Sequence, residues 1–145
     1  MIGVFKIENE EELEKAFGLR KEVFVKEQNV SEADEYDEFD STANHFLALD
    51  DKGNALGTAR WRTTEKGIKL ERFAVKKDYR SKGVGSMLLE SVLEDIVQSK
   101  EAADLHIYLH AQISALPLYE KFGFKKEGDK FEECGIKHYK MTKSL

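Results

Sequence analysis

Leu70-Glu-Arg-Phe-Ala-Val75, then Arg80-Ser-Lys-Gly-Val-Gly-Ser86, then a strongly amphipathic run: this stretch decides the fold, because it reads as a strand feeding a glycine loop that opens a helix. Such a junction is suited to holding phosphate. Gly83 and Gly85 let the backbone approach a ligand closely, and the first amides of the helix have no internal partners and sit at the positive end of its dipole. Arg80 and Lys82 add positive charge at the same place. A loop whose two glycines merely turn the chain is the plainer alternative.

What the loop lacks constrains the ligand. A Walker loop needs a glycine five residues before Gly-Lys-Ser/Thr; here Val84 follows Gly83 and no glycine stands near Asp78. The dinucleotide fingerprint fails at its third glycine, where Leu88 stands. What fits is Arg/Gln, two residues, Gly, one residue, Gly/Ala. At each specified position Arg80-Ser-Lys-Gly83-Val-Gly85 resembles the pyrophosphate loop of the GCN5-related N-acetyltransferases (GNAT).

A second segment strengthens that resemblance. About thirty residues on, a strand at Leu105 to His110 is followed by Ala115-Leu-Pro-Leu-Tyr119-Glu-Lys-Phe122-Gly-Phe124, which resembles the family's Ala, three residues, Tyr, Lys and Gly-Phe segment. Leu19-Arg-Lys-Glu-Val-Phe-Val-Lys-Glu-Gln28, the acidic run after it and Cys134-Gly-Ile-Lys-His-Tyr-Lys-Met141 further resemble its small bacterial YjcF/ElaA-like branch, with Lys137 where that branch is expected to carry proline. The resemblance implies an α/β (α+β) fold: a central, mostly antiparallel mixed sheet of about six to seven strands, helices on both faces, and a V-shaped cleft between the fourth and fifth strands. It also implies acetyl-coenzyme A as co-substrate, no metal, and an amine as acceptor.

Bulk properties agree. A chain of 145 residues is expected to form a single domain, 1–145, with a real core. It is 41% hydrophobic and 35% charged, and no apolar run approaches the roughly 18 residues that would span a membrane. Met1-Ile-Gly-Val-Phe-Lys6 lacks the basic start and apolar segment of a secretory signal, and the single Cys134 cannot form an intrachain disulfide; a cytoplasmic location is the expectation. A net charge of -5 argues against a nucleic-acid partner, since duplex affinity rests on clustered Lys and Arg. Dimerisation is left open.

Periodicity gives the elements: a strand at Val4 to Ile7; one or two helices over Glu10 to Glu27 around Gly18; a meander of strands at His45 to Asp50, Ala55 to Thr63 and Ile68 to Val75; and a helix over Val84 to Lys100 with Val84, Met87, Leu88, Val92, Ile96 and Val97 on one face. A strand at Leu105 to Leu109, a helix from about Ser114 to Phe122 that tolerates Pro117 in its first turn, and strands near Lys125 to Glu127 and His138 to Met141 complete the chain.

The strand before the glycine loop changes phase. Ile68 and Leu70 share one face, but Phe73 and Val75 would fall on the other unless a β-bulge near Glu71 to Phe73 restores them. A strand buried on both faces is the alternative. In the family such a bulge turns amides near Phe73 and Val75 outward to bind the pantetheine arm and thioester carbonyl. The resemblance thus assigns cofactor binding to Phe73, Ala74, Val75, Arg80, Ser81, Lys82, Gly83, Val84, Gly85, Ser86 and Gln112. The chemistry the resemblance implies is direct attack of an amine on the thioester, with no covalent enzyme intermediate. Tyr119 is the candidate general acid for the departing thiolate, against the alternative that it is a core residue with its hydroxyl at the rim. Glu71, at the supposed bulge, is the candidate base, directly or through water, against the alternative that it faces solvent or pairs with a neighbour such as Arg72. A noncatalytic acyl-coenzyme A sensor and an ATP-binding regulator are the competing functions.

Other chemistry-bearing residues receive ordinary readings. His106 and His110 point the same way from a strand but lie about 13 Å apart, too far to share one metal ion. His45 and His138 are isolated, and Cys134 belongs to no zinc or nucleophile motif. Ser31-Glu-Ala-Asp-Glu-Tyr-Asp-Glu-Phe-Asp40 lacks the spacing of a calcium loop and reads as a solvated acidic segment. Alternatively, it borders the amine entrance and attracts cationic acceptors, with Tyr36 and Phe39 covering the cleft.

Overall fold

A computed structural model of the chain describes residues 1–99 and 106–144. Strand β1 (Gly3–Lys6) leads into helix α1 (Glu10–Arg20), capped by the Asn9 side chain, which accepts from the Glu12 amide at 2.9 Å. The helix does not break at Gly18 but continues as a π-helical segment, Lys21–Glu27. A short helix α2 (Glu32–Glu35) and a 3₁₀ turn at Glu38–Ser41 precede the meander β2 (Asn44–Leu49), β3 (Ala55–Thr64) and β4 (Gly67–Val75). Helix α3 (Val84–Gln98), strand β5 (His106–Gln112), helix α4 (Leu116–Lys121) and the hairpin β6 (Lys125–Glu133) and β7 (Ile136–Ser144) follow. The expected ends of the α3 helix at Lys100 and of the next strand at Leu105 lie outside the described residues.

The seven strands form one sheet in the order β1-β2-β3-β4-β5-β7-β6, antiparallel throughout except for β4 beside β5. One face is the main core. Val84, Leu88, Val92 and Ile96 recur every four residues along α3 and, with Leu89, pack on Phe46, Leu56, Trp61, Ile68, Leu70, Ile107 and Leu109. Val97, expected in that stripe, is 66% exposed, because it falls one position past Ile96 and off the buried face. The closing strands are far longer than their short apolar patches suggested. β6 is an almost wholly exposed edge of Lys, Glu and Asp residues, held by its ladder to β7 rather than by burial.

The phase change in β4 is a bulge. Thr58 pairs with Ala74 but Arg60 pairs with Glu71, so β4 carries two residues where β3 has only Ala59; Arg72 absorbs the excess at φ +58. Phe73 and Val75 thereby return to the core face shared by Ile68 and Leu70, and Ala74 joins Leu19, Val23, Phe24 and Val30 on the opposite face.

Candidate active site

The two central strands part where the bulge begins. Parallel pairing of β4 with β5 runs from Ile68–Ile107 to Leu70–Leu109 and stops there. The gap opens into a cavity of about 430 Å³, lined among others by Phe73, Leu109, Ala111, Ala115 and Tyr119. The backbone facing it can be read from the register. The Lys76 amide donates to Leu56 O across β3 at 2.8 Å, so by alternation Ala74 also points its polar groups at β3, while Phe73 and Val75 point theirs toward the gap. Arg80 occupies the Val75 carbonyl, and the remaining strand-edge groups on that wall are what an extended amide-bearing ligand needs.

Just beyond Val75 the chain reaches the glycine loop. Ser81 and Gly83 take left-handed conformations, φ +66 and +87, and Gly83 caps α3. The first helical bond is Met87 N to Gly83 O at 3.0 Å, which leaves the amides of Val84, Gly85 and Ser86 without helical partners. The Val84 side chain is buried, so this residue offers only its backbone. A side chain at position 85 would come within 3.2 Å of Leu118, which explains the second glycine as close packing of α3 against α4. The Arg80 Nε donates to Val75 O at 2.9 Å and its Nη2 lies 2.9 Å from Glu27 Oε2, while Lys82 Nζ sits 5.5 Å from the Tyr79 ring centre. Lys121 Nζ donates to Ser86 Oγ at 3.3 Å. Free amides, a helix N-terminus and three cations converge on one exposed rim, a fit for a pyrophosphate.

Tyr119 projects from α4 beside the gap. Its ring meets Phe73 edge-on at 5.8 Å and Phe124 at 6.0 Å, and the residue is only 5% exposed. Burial pushes its phenol well above the usual range, so it stays protonated and keeps a hydrogen to donate. No buried side-chain oxygen or nitrogen lacks a partner among the described residues, and the Tyr119 hydroxyl has none; its oxygen therefore reaches the cavity.

Glu71 corrects an expectation. Its side chain is 6% exposed, and Oε1 accepts from Arg60 Nε (3.2 Å) and Nη2 (2.9 Å) and from Arg62 Nε (2.7 Å), while Oε2 lies 3.2 Å from Lys69 Nζ. Burial alone would raise its pKa, but the Arg62 hydrogen bond and the charges of Arg60, Lys69 and Arg62 outweigh that and hold it at about 2. A carboxylate so held takes protons from amines poorly, and Glu71 serves instead as the counterion that fixes three cations under the cavity.

Those cations belong to a lattice that sequence reading missed. Arg60, 0% exposed, also donates to Asp37 (2.7 and 2.9 Å) and to Asp40 (2.6 Å). Arg20 donates to Glu35 (2.6 Å) and Asp40 (2.8 Å), and Arg72 reaches Asp37 Oδ2 at 3.2 Å. The acidic segment is therefore not a solvated face: Glu35 and Asp40 are buried and paired. Nor do Tyr36 and Phe39 cover the cleft. Tyr36 donates to Phe17 O at 3.1 Å and packs on Phe17, and Phe39 lies under the Arg62 guanidinium at 3.7 Å. Gln112, expected to help hold the pantetheine, lines the cavity and has a protein partner. Its amide exchanges hydrogen bonds with Gln28 at 3.0 and 3.3 Å, tying β5 to the end of the π-helical segment. His45 is an ordinary buried histidine bonded to Asp40 O at 2.8 Å, and no cluster of His, Cys, Asp and Glu suited to a metal ion occurs among the described residues.

A parallel strand pair that splays at a bulge, with a glycine-capped helix beneath it, is the architecture of an acyl-transferring domain. Residues 7–145 match the family described as the acetyltransferase (GNAT) domain, and the chain belongs to that family. It is 40% identical over 139 residues to a Bacillus subtilis (strain 168) protein described as uncharacterized N-acetyltransferase YjcF, covering 93% of this chain and 94% of that one. Among solved structures it is similar to Escherichia coli ElaA (TM-score 0.86, 27% identity, 98% of this chain and 99% of that one). It is also similar to an acyl-CoA N-acyltransferase from Pseudomonas aeruginosa (TM-score 0.85, 26% identity, 98% and 99% covered). The protein is accordingly an acyltransferase of the N-acetyltransferase type, from a family whose co-substrate is acetyl-coenzyme A and whose acceptors are amines. Among the described residues no helix is long and apolar enough to cross a membrane.

Proposed function

We propose that the gap between β4 and β5 is where the acetyl group changes hands. In this reading the amides of Gly83 to Ser86, with Arg80, Ser81 and Lys82 around them, hold the pyrophosphate of acetyl-coenzyme A. The outward groups of Phe73 and Val75, flanking Ala74, hold the pantetheine arm and the thioester carbonyl. Tyr119 donates its proton to the sulfur as the C–S bond breaks. The acceptor is a primary amine that enters from the opposite face of the sheet, beneath α2 and the turn between β6 and β7, where Asp34, Asp37 and Glu133 line the cavity beside Arg62, Lys69 and Arg72. A cytoplasmic location completes the reading, in keeping with a lone cysteine that needs no oxidising compartment.

The observation that carries this reading is the end of strand pairing at Leu70–Leu109 directly before the Arg72 bulge, since it leaves two outward-facing residues of β4 beside a cavity that a protonated phenol also lines. The test is thiol release from acetyl-coenzyme A against a panel of amines: spermidine, glucosamine, ethanolamine and lysine methyl ester. Tyr119→Phe is expected to lower kcat by about 10²- to 10⁴-fold with little change in cofactor affinity; an unchanged kcat removes Tyr119 from the mechanism. Thermal stabilisation by acetyl-coenzyme A without thiol release from any amine would favour a sensor, and stabilisation by ATP alone would favour a nucleotide-binding regulator.

A further inference from the structure

The cleft reading leaves the acceptor amine without a proton acceptor, because Glu71 is locked among cations. We propose that His110 takes that proton and that Glu133 holds its ring in position; the inference rests on the acetyl-transfer reading of the cleft.

The position of His110 is set by the fold. It is the first residue of β5 beyond the last β4–β5 pair, Leu70–Leu109, and so stands where the strands part. Ile107, Leu109 and Ala111 belong to the core cluster that also contains Tyr119. By strand alternation His110 projects from the opposite face, the same side on which Gln112 meets Gln28. Both His110 and Tyr119 line the cavity. A thioester in the gap would thus have the phenol on one side and the imidazole on the other. The base can then reach the attacking nitrogen while the acid reaches the departing sulfur.

The chemistry of the ring fits the task. Its Nδ1 lies 3.0 Å from Glu133 Oε2. Glu133 is held below the usual carboxylate range, first by this hydrogen bond, so it accepts and Nδ1 carries the hydrogen. Nε2 is then left with its lone pair, and no other hydrogen bond to the ring occurs among the described residues. Phe131 braces the ring edge-on at 5.1 Å. An imidazole whose tautomer is fixed by a carboxylate is a common general base.

The other groups near the cavity are less suited. His138 is buried, with its Nδ1 2.7 Å from Ile136 O and its ring stacked on Phe131. The Tyr108 hydroxyl pairs with Thr64 at 2.6 Å, and burial raises the Cys134 thiol. The charged and titratable groups surrounding His110 are Lys69 and Glu71 on β4, Glu133 on β6, His138 and Lys140 on β7, the latter the register partner of His110, Tyr108 on the same strand as His110, and Asp34 and Asp37 across the cavity.

The step balances without any further reactant. The amine nitrogen bonds to the carbonyl carbon as its proton passes to His110 Nε2. The C–S bond breaks and the thiolate takes the Tyr119 proton. The imidazolium then releases a proton to solvent and the phenolate regains one, leaving amide and thiol.

The test uses the most rapidly acetylated amine of the panel above, with kcat followed against pH and acetyl-coenzyme A binding measured by isothermal titration. His110→Gln is expected to bind the cofactor as the wild type does, to lose about 10²- to 10⁴-fold in kcat, and to lose the acidic limb of the pH profile. Glu133→Gln is expected to lose about tenfold in kcat with KM and cofactor affinity unchanged, as removal of a residue that only orients the base should. His138→Gln keeps the limb. If His110→Gln binds the cofactor and retains both kcat and the acidic limb, or if the limb vanishes with His138→Gln instead, His110 is not the base and the cleft reading survives. If the wild-type protein fails to bind acetyl-coenzyme A, the cleft reading falls and takes this inference with it.

Discussion

The two sides of the cleft are built by different means. In the proposed reading the cofactor side works through backbone: three amides at the start of α3 without helical partners and the outward-facing groups of two β4 residues. On the acceptor side they are side chains, carried by β3, β4, β5, the α2 segment and the β6–β7 turn and held by ion pairs between residues far apart in sequence. A backbone site needs only particular dihedral angles, which a handful of consecutive residues can set. A charge lattice needs the whole sheet in register before any pair forms, so its integrity and the stability of the domain are one property.

The largest expected effect falls on the lattice. Arg60→Ala leaves Asp37, Asp40 and Glu71 facing one another under the sheet without their shared guanidinium, and breaking a buried network in this way typically costs about 3–5 kcal/mol. Urea unfolding is the measurement. A loss under 1 kcal/mol would mean that the lattice does not carry the fold on that side, and the contrast between the two sides would fail.

Acid should reveal the same lattice. Glu71 is held at about 2 against an ordinary 4.5, and Asp37 at about 2 against 3.8; in both, burial pushes upward and the arginine contacts outweigh it. A depressed folded-state pKa gives stability that is complete above the unfolded value and is lost as pH falls through the folded one. Glu71 alone therefore contributes about 3 kcal/mol above pH 5, fading between about pH 4.5 and 2. Glu35 works in the opposite direction, since burial raises its pKa and folding favours its protonated form. Denaturation midpoints at pH 7, 4 and 2.5 should fall steadily. In Glu71→Gln, less stable at neutral pH, the fall should be smaller; an equal fall in both would place the acid-sensitive groups elsewhere.

The difference between the sides also explains what could be read from the chain itself. The glycine loop, the bulge and the order of elements were legible because each is local. Gly83 and Gly85 stand at fixed spacing from Arg80, and the slip of phase between Leu70 and Phe73 is visible in nine consecutive residues of β4. The lattice was not legible. Arg20 and Glu35 are fifteen positions apart and Arg60 and Asp37 twenty-three, and nothing in a run of acidic residues distinguishes those that fold inward onto arginines from those that face water. Glu71 was misread for the same reason: its place at the bulge is local information, but the three cations that hold it are not. His110 drew notice only as a metal ligand, because Glu133 reaches it from a strand whose length its polar residues did not disclose.

The smallest expected effect on stability lies on the cofactor side and shows the contrast most directly. In the glycine loop, Arg80 has a charged partner, Glu27, and that pair is partly exposed. An exposed pair of this kind is worth no more than about 1 kcal/mol, so Arg80→Gln should unfold in urea almost as the wild type does. Its bond to Val75 O, however, fastens the loop to the outward end of β4, and in the proposed reading its charge faces the pyrophosphate. Removing one charge-assisted contact should weaken acetyl-coenzyme A binding about tenfold at low salt, and the gap between variant and wild type should narrow as ionic strength rises. The opposite pattern, a clear loss of stability with affinity unchanged, would make Arg80 a strut and place the cation for the pyrophosphate elsewhere, with Lys82 and Lys121 the next residues to remove.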